Sequence, residues 1–184
     1  MSLKAISVTL MLTLSQQLAA KEINFLTHSV EGKIYTDENE EIRGRKHSGK
    51  QAFSLELVRE MMIIMKHPTN FYEIPYKRGL KFVQNKPDFA LFNMIRKPNY
   101  EDTIKWVGPL KIAPLNKLEE ESSLLMKLSN TSSVQNPTKL QTGGYIGFSK
   151  NIADNVIQDW QNALEQLKNS GRYDELVKNY LLTQ

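Results

Sequence analysis

Tyr35, Tyr76, Arg78, Asn93 and Arg96 are the residues whose types and spacing could do chemistry in this sequence. An arginine offers a planar fork that grips a carboxylate through two parallel hydrogen bonds. A tyrosine offers an apolar face with a hydroxyl at its tip, and an asparagine offers both a donor and an acceptor. Aromatic walls with one or two guanidinium groups suit a small zwitterion or carboxylate. In such a site Arg78 and Arg96 would grip charge, Tyr35 and Tyr76 would stack, and Asn93 would hydrogen-bond. That division of labour requires elements that deliver all five to one shallow pocket.

Other motifs point elsewhere with less force. Gly44 to Gln51 (GRKHSGKQ) falls one residue short of a phosphate-binding loop, because Gln51 stands where a Ser or Thr would hold magnesium. His28, His47 and His67 lie far apart with no partner one helical turn away, so no metal site is expected. The chain has no cysteine, which excludes a thiolate zinc site, an iron–sulfur cluster and a thiol nucleophile. No G-x-S-x-G elbow occurs, and Glu119 to Glu121 reads as a solvated helix face. Met61 to Met65 reads as core packing. The expectation is a non-catalytic protein without cofactor; acid–base chemistry, if present, would fall to His28, Glu31 or Glu73.

The elements that must position these residues alternate. Glu22 to His28 reads as a strand with Ile23 and Phe25 on one face and Asn24 and Leu26 on the other. Residues 33–36 and 42–44 flank the polar turn DENEE and form a hairpin. A helix is expected over Lys50–Lys66, with Phe53, Leu57, Val58, Met61, Ile64 and Met65 as its apolar stripe, ending before Pro68. Asn70–Ile74 is a short strand, Pro75 opens a helix over Tyr76–Gln84, and Asp88–Met94 is a strand buried on both faces. Strand–helix–strand order of this kind implies parallel pairing, with ligands beyond the carboxyl ends of the strands. Leu115–Leu128 reads as a helix and Ser129–Gly144 as a polar linker. Tyr145–Ser149 is a strand, Ile152–Asn169 a strongly periodic helix capped by Gly171, and Tyr173–Leu182 a last helix.

The 184 residues carry 24 Lys and Arg against 20 Asp and Glu, a net charge of +4 that is interleaved along the chain. Such mild, mixed charge argues against nucleic acid as a partner. The first twenty residues, MSLKAISVTLMLTLSQQLAA, combine Lys4, a short apolar run and a small-residue step, the pattern of a cleavable signal peptide. Removing them leaves 164 residues and lowers the charge to +3. Nothing later approaches the ~18 apolar residues of a spanning helix, so an exported, periplasmic protein that does not span the membrane is expected.

Four stretches carry a resemblance to a known family. IYTDENEEIRG resembles an aromatic–acidic turn leading to a glycine before a first helix. IPYKRGLKFVQNKPDFALFNM resembles a strand–helix–strand passage with an aromatic and an arginine after proline. IRKPNYEDTIKWVGPL resembles a segment entering a hinge, and QNALEQLKNSGRYDELVKNYL a terminal helix pair. Together they are similar to the bacterial extracellular solute-binding proteins of the polar amino-acid transport type, family 3. The resemblance implies an α/β fold of the type II periplasmic-binding-protein kind, two lobes closing on a small polar or amino-acid-like solute, and a membrane permease of an ABC transporter as partner. It places Tyr76, Arg78 and Asn93 to Arg96 on the ligand-facing edge of the first lobe. Tyr100 stands where the family has its carboxylate-gripping arginine, which leaves Arg96 to supply the positive fork.

On this reading, residues 1–20 are the signal peptide and 21–108 a first lobe with a parallel-dominated sheet. Residues 109–144 are a reduced second lobe or linker, and 145–184 a strand and helix pair packing back on the first lobe. Only 38 residues separate Trp106 from Tyr145, whereas a lobe with its own core needs on the order of 50–100. Weakened binding is one expected consequence. Two further readings remain open: a ligand-free interaction protein derived from this fold, and a dehydratase-like enzyme on it.

Overall fold

The computed structural model describes residues 22–28, 31–111 and 144–182. The expected leader over 1–20, the helix expected at Leu115–Leu128 and nearly all of the expected linker lie outside these residues. Seven strands are described: β1 (Asn24–Thr27), β2 (Ile34–Thr36), β3 (Ile42–Gly44), β4 (Phe71–Glu73), β5 (Phe89–Met94), β6 (Ile104–Val107) and β7 (Tyr145–Ser149). Four helices accompany them: α1 (Lys50–Ile64), α2 (Tyr76–Asn85), α3 (Asp154–Asn169) and α4 (Arg172–Tyr180), with a 3-10 turn at Pro98–Tyr100. No helix among the described residues is long and apolar enough to cross a membrane.

Five strands form one sheet in the order β4-β1-β5-β7-β6. β1 pairs in parallel with β4 and β5, while β7 runs antiparallel to both β5 and β6. The carboxyl ends of β1, β4, β5 and β6 therefore share one edge with the start of β7. β2 and β3 form a separate antiparallel hairpin. The alternation expected in β1 holds: Ile23 and Phe25 enter the larger core with α1, α3 and α4, whereas Leu26 joins a smaller core under α2. In the larger core Trp160 packs against Phe25 and Phe148, at ring-centroid distances of 4.8 and 6.0 Å.

Helix α1 differs from its expected single stripe. Every residue from Gln51 to Arg59 is buried, including Leu55, Glu56 and Arg59. A helix enclosed on all sides is apolar or internally neutralised all round rather than amphipathic. Here the sheet, the hairpin, α3 and α4 all contact it. The two buried charges are matched by the hairpin. Glu56 accepts hydrogen bonds from the Arg43 guanidinium at 3.2 Å and from the Gly44 N–H at 2.6 Å. Arg59 donates to Glu41 at 3.0 Å and to the Ile42 carbonyl. Gly44 permits this approach, since a Cβ there would lie 2.6 Å from the Ala52 carbonyl oxygen.

The C-terminal segment completes the sheet. β7 sits between β5 and β6, and Ser149 exchanges hydrogen bonds of 3.1 Å with the Phe89 backbone. Gly171, at φ 79°, follows α3 in the left-handed conformation that ends helices. The last turn of α4 then docks on the loop before α1: the Asn179 and Tyr180 carbonyls accept the His47 and Gly49 N–H groups at 2.9 and 2.8 Å.

Candidate functional site

The carboxyl edge of the sheet opens beside the N-terminus of α1. A cleft of about 330 Å³ lies there, lined by Lys50, Gln51, Phe53, Ser54, Asn93, Ile95, Lys111 and Gly144. Its size falls in the range of small-molecule sites. Asn93 reaches it through an irregularity in β5. Its backbone adopts φ 61°, and the pairing with β7 shifts register between Leu91 and Met94. A bulge of this kind re-aims a side chain at a strand end. The following residue, Met94, returns to the α2 face, while the Asn93 amide turns towards α1.

Gln51 organises this corner. Its amide nitrogen donates to the Thr27 hydroxyl at 3.1 Å and the His28 carbonyl at 2.8 Å, and its Oε1 accepts from Asn93 Nδ2 at 2.7 Å. One side chain, only 8 % exposed, thus ties the ends of β1 and β5 to the first turn of α1. The residue that spoils the phosphate-loop motif is the strut of the site. Moreover, the amides of His47 and Gly49 in that loop are taken by α4. No side chain caps α1 and its first turn holds no acidic residue; the first hydrogen bond of the helix runs from the Phe53 N–H to the Gly49 carbonyl at 3.1 Å.

Of the six residues singled out from sequence, only Asn93 lines this cleft. Tyr76, Arg96 and Tyr100 gather on the other face of the same edge. Tyr76 opens α2 and meets His28 edge-on at 5.4 Å. Burial, with a smaller contribution from nearby Tyr100, raises the Tyr76 phenol above its usual pKa. Tyr100 packs against the smaller core from the 3-10 turn. The fork of Arg96 is held by Glu101 through two bonds of 2.8 Å, and its guanidinium lies 5.9 Å from the Trp106 ring centre. That pairing holds the Glu101 carboxyl below its ordinary range and Arg96 above its own. Arg78 is exposed on the first turn of α2. Tyr35 lies on the hairpin, with the Arg45 guanidinium 5.3 Å from its ring centre and Arg43 nearby. The structure therefore replaces the single expected pocket with a cleft on the α1 side, an aromatic–arginine group on the α2 side and a separate tyrosine. The physical reason is the pleat: neighbouring strand residues point to opposite faces, so proximity at a strand end does not make a shared pocket.

The residues considered for acid–base chemistry do not assemble either. His28 is half-buried, burial pulls its pKa down, and its Nδ1 has no hydrogen-bond partner. Glu31 and Glu73 are exposed on separate elements. Among the described residues no group of three or more His, Asp or Glu could hold a metal ion. Sequence reasoning missed Gln51 and Lys50 as site residues. The available signal was their place, immediately after Gly49 at the start of a helix that follows the first strand and hairpin.

No protein-family model matches the chain, and no curated protein matches it significantly. Solved structures do match. The arginine-specific periplasmic binding protein of Salmonella typhimurium superposes with a TM-score of 0.56 at 13 % identity, covering 85 % of this chain and 98 % of that one. Substrate-binding domain 2 of Lactococcus lactis GlnP, in its open conformation, gives 0.53 at 10 % identity over 89 % and 97 %. The second substrate-binding domain of a putative amino-acid ABC transporter from Streptococcus pneumoniae gives 0.52 at 10 % identity over 86 % and 100 %. All three are binding proteins or binding domains. The chain shares the α/β fold of the periplasmic amino-acid-binding proteins.

Proposed function

We propose that this protein is a non-catalytic solute-binding protein that captures a small amino-acid-like or carboxylate solute at the carboxyl edge of its sheet. The observation that carries this reading is the cleft in which the bulged Asn93, the strut Gln51 and the uncapped start of α1 converge. Polar groups fixed by hydrogen bonds before a ligand arrives lose little on binding it. The fold shared with amino-acid-binding proteins supports the same reading. Arg96 and Tyr76 remain proposed contributors from the other face, Arg96 only after release from Glu101. Tyr35, Arg78 and Tyr100 join them as the outer ring of the proposal.

Export through residues 1–20, a periplasmic location and hand-over to a membrane permease complete it. The N-terminal sequence of the protein recovered from its native cell would begin at Lys21 on this account. Titration calorimetry of the purified protein against amino acids and small carboxylates at millimolar concentration is the direct test. Saturable heat with at least one of them is expected; silence with all of them removes the function.

A further inference from the structure

We propose that the outer face of α2 is a docking surface for anionic phospholipid headgroups, so that the protein rests on a membrane with its cleft turned away. From Tyr76 to Lys86 the sequence holds Lys77, Arg78, Lys81 and Lys86 and no Asp or Glu. These four cations equal the formal excess of +4 of the entire chain, so all other residues together are in balance. All four are exposed. Lys77, Arg78 and Lys81 share one flank of the helix, while Gly79 and Val83 are buried on the sheet side. Six other cations are matched instead: Arg43, Arg59, Arg96, Lys105, Lys168 and Arg172 each meet a carboxylate at 2.6 to 3.2 Å. Lys77, Arg78 and Lys81 meet none among the described residues. Lys86 rests over the Phe82 ring, its Nζ 4.5 Å from the ring centre.

The acids that flank α2 do not offset it. Glu73 pairs in register with Thr27, whose hydroxyl bonds Gln51 of α1, which puts Glu73 on the α1 face of the sheet. Asp88 accepts a bond of 2.8 Å from the Asn151 amide. Tyr72 pairs with Leu26, which packs under α2, so this tyrosine, 49 % exposed, stands on the α2 face at the edge of the sheet. An exposed tyrosine beside cations is the composition of a membrane–water interface. A protein partner fits less well, because protein interfaces are depleted of lysine and centre on buried anchors. A layer of headgroups adapts to separate point charges on a convex helix. The cleft lies on the α1 side of the sheet and stays open to solution when α2 is docked.

Co-sedimentation of the purified protein with vesicles tests the proposal. The probes are vesicles of phosphatidylcholine, vesicles of an equal mixture of phosphatidylcholine and phosphatidylglycerol, and membrane vesicles from the native cell. Binding to the phosphatidylglycerol mixture, none to phosphatidylcholine, and release at high salt are expected. Lys77→Gln with Lys81→Gln should lower that partition about thirtyfold, or about fivefold per charge. Lys66→Gln with Lys178→Gln removes the same charge from the α1 side and should lower it by no more than about twofold. Glutamine is a good helix former, so both variants keep the fold, and unchanged thermal midpoints verify this. Equal losses in the two variants would mean that net charge, not this face, draws the protein to lipid, and would overturn the proposal. So would equal binding to both lipid compositions, or binding to none. Binding to native membranes alone would also overturn it and assign the face to an acidic membrane protein. Solute titrations of Lys77→Gln with Lys81→Gln should match the parent, so docking and solute capture can fail separately.

Discussion

The middle of α1 and its N-terminus are built on opposite principles. In the middle of the helix, Glu56 and Arg59 are buried and bound by Arg43, Glu41 and hairpin backbone groups. At the N-terminus, Lys50 is exposed, no side chain caps the helix, and Gln51 holds two strand ends while facing a cleft. The network in the middle ties the hairpin to the helix. The uncapped end, with Lys50 exposed, borders the cleft instead. The same helix thus holds the hairpin with its middle and the ends of β1 and β5 with its first turn.

The sharpest way to break this comparison is at Glu56. Glu56→Ala removes the partner of Arg43, one of the two carboxylates beside buried Arg59 and the acceptor of the Gly44 N–H, and should cost about 3–5 kcal/mol of stability in denaturant unfolding. A loss below ~1 kcal/mol would mean the network is dispensable. Gln51→Ala should cost about 1–3 kcal/mol, because Asn93 Nδ2 and the His28 carbonyl lose their partner. In contrast with Glu56→Ala it should also lower ligand affinity in calorimetry when compared under folded conditions.

Asn93 sharpens the contrast further. Asn93→Gly keeps the positive φ at little strain, whereas a branched side chain is disfavoured there. Asn93→Val should be less stable than Asn93→Gly by about 1–2 kcal/mol; equal unfolding midpoints would show that the bulge is not held.

The smallest effect belongs to Arg96–Glu101. The depressed Glu101 pKa adds stability above the ordinary glutamate value, and that contribution is lost as pH falls through the lowered one. Both side chains are more than a third exposed, so screening limits the gain to ~0.2–1 kcal/mol. The pH-dependent difference between the parent and Glu101→Gln, confined to acid, measures it.

Much of this fold was legible. β1, the hairpin, α2, β5, β7 and the two C-terminal helices appear within a few residues of their expected places, because alternation, helical period, Pro75 and Gly171 act locally. β6 was missed: Ile104–Val107 is short, follows a turn, and becomes a strand only because β7 arrives to pair with it. The all-round burial of α1 was equally hidden, since Glu56 and Arg59 read as surface charge until Arg43 and Glu41 are brought across from the hairpin. Arg96 looked available because its partner Glu101 stands at no helical spacing; the 3-10 turn between them closes the pair. The strand edge that carries the candidate cleft was legible, but its lining was not, because Asn93 reaches it through a bulge that no periodicity announces.

The insertion of β7 has a consequence for how the chain is made. Phe89 and Ser149, hydrogen-bonded neighbours in the sheet, are 60 positions apart in sequence, and contacts of that separation slow a two-state search. During synthesis the emerging polypeptide cannot close its sheet until Ser149 has left the ribosome, so β6 waits without its pairing strand while most of the chain is already out. The sheet is therefore completed only late in synthesis, when β7 adds between β5 and β6.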